Sequence, residues 1–249
     1  MRRFVFIRPT LLISLLVQIV GPGSLGLFHV TYPGHSDAAS SITPTTSNPG
    51  NLGTVVAPSS TIYGIKGGTQ VGNNLFHSFS QFSVATGDVA QFQTNNLVPN
   101  GSMQNILGRV TGGNPSSIFG TIDSATYYPS ANLFLMNPAG VIFGPGATLN
   151  VGGMATFTTA DYLKLNDGKL FSAIPNASSD ALLSSSPVAS FGFLGNNPAA
   201  IAIEGSILTV ANGQSITLVS GNQGFDYANP DTGINGIAPG GVTLTAGHL

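Results

Sequence analysis

From Thr61 to Leu249 the chain is cut into short apolar pieces separated by Gly, Pro, Asn and Ser, and amphipathic helical patterns are scarce. Thr61-Ile-Tyr-Gly-Ile, Val89-Ala-Gln-Phe, Ile118-Phe-Gly-Thr-Ile, Leu133-Phe-Leu-Met, Val141-Ile-Phe and Ala147-Thr-Leu-Asn-Val all have strand length and turn-forming boundaries. Later, Ile201–Ile203, Ile207–Val210, Ile216–Leu218 and Val242–Leu244 alternate apolar with polar residues, with Asn212-Gly213, Gly221-Asn222 and Gly240-Gly241 between them. The pattern predicts an all-β protein. Parallel strands ordinarily need helical crossovers, but a solenoid avoids them by coiling each short strand directly onto the one below. The competing arrangement is an antiparallel sandwich, which turn spacing alone does not separate from a solenoid.

Charge scarcity favours the stacked coil. Only 6% of residues are charged while 42% are hydrophobic and 33 are Gly, the reverse of a disordered chain's balance. Side chains stacked at ~4.8 Å would set like charges beside each other, whereas Ser, Thr and Asn can pair along the stack. A rung of roughly 20 to 25 residues predicts about nine coils, on the order of 40 Å long. Three of the seven Lys and Arg residues (Arg2, Arg3, Arg8) lie at the N-terminus, leaving four basic against nine acidic residues. No basic surface remains to grip phosphates, so nucleic acid is excluded as a partner. The chain has no Cys, which removes disulfides, thiolate metal sites and cysteine nucleophiles together.

The first residues, Met1-Arg-Arg-Phe-Val-Phe-Ile-Arg8, are basic; Leu11 to Val20 is apolar apart from Ser14 and Gln18; Gly21, Gly23, Ser24 and Gly26 follow. This is the layout of a secretory signal peptide over residues 1–26, its apolar part shorter than the ~20 residues of a spanning helix. An uncleaved anchor or a buried helix is the alternative, since no Ala-x-Ala site is present. Residues 27–60, rich in Ser, Thr, Pro and Gly, read as a loop-rich lead-in and the start of a cap. At the other end, Val242-Thr-Leu-Thr-Ala-Gly-His-Leu249 stops within a strand pattern without a polar capping repeat, as a truncated or partial chain would.

Catalysis would need clustered chemistry. Asp88, Asp123, Asp161, Asp167, Asp180, Glu204, Asp226 and Asp231 are scattered, most beside turn residues, and turn formation accounts for the nearest pairs, Asp161/Asp167 and Asp226/Asp231. No nucleophile elbow, phosphate loop or zinc pattern is present, and no cofactor or metal is implied. His77 stands alone and reads as a capped, hydrogen-bonded histidine. Arg109 is an isolated cation expected to pair with a sparse acid or a backbone carbonyl. Phe76, Phe79 and Phe82 recur every three residues and read as cap or core packing. Asn137-Pro-Ala-Gly140 has a side-chain acceptor, then Pro, then Gly at the fourth position, the preferences of a type I turn. Leu133 to Met136 before it is apolar on both faces, as in a strand covered on both sides.

Several ordered blocks carry more than generic β composition: Gly67-Gly-Thr; Asn74-Leu-Phe-His-Ser-Phe79; Gly87-Asp-Val-Ala-Gln-Phe92; Asn105-Ile-Leu-Gly-Arg-Val-Thr-Gly-Gly113; Ala131-Asn-Leu-Phe-Leu-Met-Asn-Pro-Ala-Gly-Val-Ile-Phe-Gly144; and Ala147-Thr-Leu-Asn-Val-Gly-Gly153. In this order the segment resembles the N-terminal two-partner secretion domain of filamentous haemagglutinin-like exoproteins. The resemblance implies a right-handed parallel β-helix with an N-terminal cap. It also implies a partner, an outer-membrane β-barrel transporter whose periplasmic domains recognise the unfolded chain, and secretion to the cell surface or beyond through a Gram-negative-type envelope. On this basis residues 61–200 are the secretion domain and 201–249 the start of further β-helix repeats. Asn137, Pro138, Ala139, Gly140 and Val141 would form a partner-recognition or folding turn. The family pattern has Asn where this chain has Ala139 and Ile where it has Val141, and its second tetrapeptide, Asn-Pro-Asn-Leu, is absent, the nearest stretch being Asn95–Asn100. Two alternatives stay open: a polysaccharide-acting β-helix enzyme, and a stand-alone adhesin module binding glycans or proteins of host or bacterial surfaces.

Overall fold

Short apolar runs bounded by turns build strands that wind rather than fold back. The structure is a computed structural model and describes residues 37–94, 103–195, 198–220, 222–223 and 242–246. The signal segment 1–26, the stretch Asn95–Asn100 and the pair Asp226/Asp231 lie outside the described residues.

The chain opens with β1 (Ser41–Pro44) and β2 (Thr54–Ser59), then β3 (Ile62–Gly67), β4 (Thr69–Val71) and β5 (Asn74–Ser83). It continues through β6 (Val89–Phe92), β7 (Asn105–Val110), β8 (Ser116–Ile118), β9 (Thr121–Asp123), β10 (Asn132–Met136), β11 (Val141–Phe143), β12 (Thr148–Asn150) and β13 (Ala155–Thr158). An excursion follows, made of β14 (Tyr162–Leu165), β15 (Leu170–Ser172), the one-turn helix α1 (Ala177–Asp180) and β16 (Val188–Gly192). The last described strands are β17 (Ala200–Ile203), β18 (Ile216–Ser220), β19 (Asn222–Gln223) and β20 (Val242–Ala246).

The strands stack into three sheets that the chain visits in turn. β5, β7, β10, β13, β18 and β20 are parallel neighbours on the first face. The second face is β8, β11, β17 and β19, and the third is β3, β6, β9 and β12, again all parallel. This is a parallel β-helix, and the sandwich alternative is overturned by the parallel ladders. Its N-terminal edge is covered by antiparallel strands: β1 and β4 on β5, and β2 on β3. β1 and β2 carry Pro44 and Pro58, which have no N–H to offer a further strand.

The expected rung of roughly 20 to 25 residues holds from β10 to β13, where Leu133 is matched to Ala155, and from β8 to β11, where Ser116 is matched to Val141, but other rungs and the coil number depart from it. The matched Asn residues of β5, β7 and β10 are 31 and 27 residues apart, and Ala155 of β13 is matched to Ile216 of β18, 61 residues on (155 to 216). The excursion consumes that surplus, so among the described residues six parallel strands, not nine, line the first face.

Two cores result. Leu75, Ile106, Leu133, Ala155 and Ile216 sit in register through the interior, joined by Ile122, Leu149, Phe143 and Ile203 from the other faces. Phe76, Leu107, Phe134 and Met136 point outward from the first face into a second cluster with Leu163, Leu165 and Phe171 of the excursion and Leu52 of the cap loop. β10 is therefore covered on both faces, as its unbroken apolar run requires.

Two strand readings change. Ile118–Ile122 is not one strand: Phe119 and Gly120 turn a corner between β8 and β9, both N–H groups donating to the Val84 carbonyl at 2.7 and 3.1 Å. A Cβ on Gly120 would lie 2.3 Å from the Ala85 carbonyl oxygen and 2.4 Å from that of Asp88. Ile207–Val210 forms no ladder with β12, the last strand of the third sheet; Leu208 is drawn into the core and Val210 packs against it, half-buried.

Candidate functional site

The turn after β10 links the first face to the second and is tied to the rungs on both sides. Gly140 N–H donates to the Asn137 carbonyl at 3.0 Å, closing a β-turn, and Ala139 N–H donates to Asn137 Oδ1 at 3.0 Å. Asn137 Nδ2 donates to the Asn114 carbonyl and to Ser116 Oγ, both at 2.9 Å. Its main-chain N–H reaches the Thr158 carbonyl at 2.9 Å, and the Gly140 carbonyl accepts from Ser116 N–H at 3.0 Å. Asn137 is 1% exposed with both side-chain polar atoms engaged. Pro138 and Ala139 are half-buried at the surface, whereas Gly140 and Val141 are buried. Gly140 has φ of +120°, which a side chain rarely adopts. Ala139 thus presents a methyl group at the half-buried surface of the turn.

The three phenylalanines separate. Phe76 is in the outer cluster, 5.1 Å from Phe171 edge-to-face, while Phe79 and Phe82 are in the interior. Strict alternation would send Phe82 outward. A register shift on β5, where Thr43 pairs with Gln81 and Pro44 with Phe79, leaves Ser80 unmatched and returns Phe82 to the inside.

His77 is 1% exposed. Thr54 Oγ1 accepts from Ser78 N–H at 3.0 Å and lies 3.2 Å from His77 Nδ1, so its hydroxyl hydrogen is free to go to the ring. Burial pushes the imidazole pKa down to about 3, and the ring is neutral.

Arg109 is fully buried with every N–H engaged. Nε donates to Ser78 Oγ at 3.0 Å, Nη1 to the Ser172 carbonyl at 2.8 Å, and Nη2 to the Gly50 carbonyl at 3.3 Å. The two Nη groups also hold the Asp180 carboxylate bidentately at 2.7 Å each, and the guanidinium lies 5.1 Å from the Phe171 ring centre. Asp180 was legible only as one of several turn acids.

The other acids serve local structure. Asp123 accepts from Gln91, Asn150 and Thr126, linking neighbouring third-face strands; Asp161 accepts from Leu194 N–H, and Asp167 from Lys169 N–H. Among the described residues no group of three or more His, Cys, Asp or Glu side chains is placed to hold a metal ion. A ladder that sequence reasoning did not single out runs along the first face: Asn132 Nδ2 donates to Asn105 Oδ1 at 3.0 Å and Asn105 Nδ2 to Asn74 Oδ1 at 2.8 Å. Its signal was the tripeptide repeated as Asn74-Leu-Phe, Asn105-Ile-Leu and Asn132-Leu-Phe.

The TPS secretion domain family matches residues 40–249. Among solved structures the chain is similar to the crystal structure of the HMW1 secretion domain from Haemophilus influenzae, with 21% identity and a TM-score of 0.46, over 77% of this chain and 41% of that one. The chain thus spans less than half the length of that structure. No curated protein matches the sequence.

Proposed function

The chain belongs to the TPS secretion domain family, and on that premise we propose that it is the secretion-directing part of a larger exoprotein, read by an outer-membrane β-barrel transporter through periplasmic recognition domains. The observation that carries this reading is the family match over residues 40–249, which takes in the cap, every described rung and the excursion. Residues 1–26 act in this account as a cleaved export signal, and the protein reaches the cell surface or the medium through the periplasm without catalysing a reaction.

The Asn137–Val141 turn serves folding. Both polar atoms of the buried Asn137 side chain are engaged inside the coil, so a partner could reach them only before the coil closes. The test uses the mature chain unfolded in urea and diluted onto immobilised periplasmic domains of the transporter, beside the same chain folded beforehand. Capture of the unfolded chain and little capture of the folded one supports the reading; no capture in either state contradicts it. Asn137→Ala should leave capture of the unfolded chain unchanged while lowering its folded stability. Loss of capture at unchanged stability would make the turn a recognition element instead.

A further inference from the structure

The excursion does not merely decorate the coil. It reaches back past the rungs it follows and completes the first ones. Arg109 on β7 has a fully buried guanidinium, and three of its hydrogen bonds end on Ser172 and Asp180, 63 and 71 residues further along the chain. Asn74, which starts the ladder on β5, gives both N–H bonds of its carboxamide to the carbonyls of Ser184 and Ser186, at 2.9 and 2.8 Å and 110 and 112 residues away. The backbones meet closely there: a Cβ on Gly72 would lie 2.5 Å from that of Ser185, and one on Gly50 would lie 3.0 Å from the Pro175 ring. Phe171 packs on Phe76 and lies beneath the guanidinium.

A buried guanidinium without its carboxylate is strongly unfavourable, and a buried carboxamide without acceptors adds to that. We infer that the segment from Phe171 to Ser186 is a clasp: β5, β7 and the cap loop are completed only when it docks, so the early rungs and the excursion form and open as one unit. Four rungs of β-helix are then insufficient for a closed domain, because the partners of the first two are supplied after the fourth. The inference is independent of the export reading.

Hydrogen exchange on the whole chain tests it, read separately over β5, β7 and residues 171–186. With Asp180→Asn, protection should fall by at least about a hundredfold in all three regions together. Adding Arg109→Met removes the stranded cation, and the double variant should recover protection in β5 and β7 while 171–186 remains loosened. Should Asp180→Asn fail to fold, recovery of a folded chain in the double variant upholds the clasp. Loss confined to 171–186 in the single variant, or a double variant no better than the single, would overturn it.

Discussion

Among the described residues His77 is the one histidine, and its burial makes this fold sensitive to acid. The ordinary imidazole pKa of 6.5 is lowered to about 3 by burial, so below pH 6.5 an unfolded chain takes up a proton that the folded one refuses. The stability is present in full above pH 6.5 and is lost as the pH falls toward 3, by up to about 1.4 kcal/mol per pH unit. Urea midpoints measured from pH 8 to pH 4 should show this slope, and His77→Gln should flatten most of it. At Asn137 the cost is that of polar groups left without partners: Asn137→Ala should lower stability by about 1–3 kcal/mol. Asn137→Asp should cost at least as much, because it keeps the acceptor for Ala139 N–H but sets an oxygen against the Asn114 carbonyl. Matched urea titrations of the two variants decide this. Sequence alone indicated that Arg109 needs a partner, since a lone cation beside apolar residues cannot be left unpaired. It could not indicate Asp180, because the pairing depends on an excursion whose return path no local pattern encodes.

At the level of the strand, stacked side chains do the work that charge does in other folds. Asn105 sits in the middle of the ladder, donating to Asn74 and accepting from Asn132. Asn105→Ala should leave both neighbours short of a partner and cost about 1–3 kcal/mol in a denaturant titration. Gly120 tests the corner: a methyl group there would press on two carbonyl oxygens of the preceding loop, so Gly120→Ala should destabilise by about 1–3 kcal/mol by the same measurement. Strands such as β10 and β11 were legible because they consist of unbroken apolar runs between Pro, Gly and Asn, whereas β5, β7 and β13 of the first face, which mix polar with apolar residues, were not read as strands. The corner at Phe119–Gly120 was not legible, since an apolar residue at a bend looks the same in sequence as one within a strand. Ile207–Val210 keeps the alternation of a strand, but pairing is decided by the neighbour, and no ladder forms there.

For the whole molecule, the problem of a parallel coil is its open ends and its exposed outer faces. The N-terminal edge is closed by three antiparallel strands, two with a proline, and the outer side of the first face is covered by the excursion. Low charge favoured the coil over the sandwich, and the ordered blocks between Gly67 and Gly153 carried the parallel β-helix through the family they resemble. The excursion was not readable, because β14, β15 and β16 have the same strand-like composition as the rungs and differ only in pairing antiparallel. What the molecule is for rests on family membership and on a coil that engages the Asn137 side chain once formed. The direct measurement is export: the full chain expressed in a Gram-negative host with and without the β-barrel transporter of its own genome, and quantified in periplasm and medium. Folded chain should be found in the medium only when the transporter is present. Equal release without the transporter, or retention in the periplasm despite it, would contradict the account.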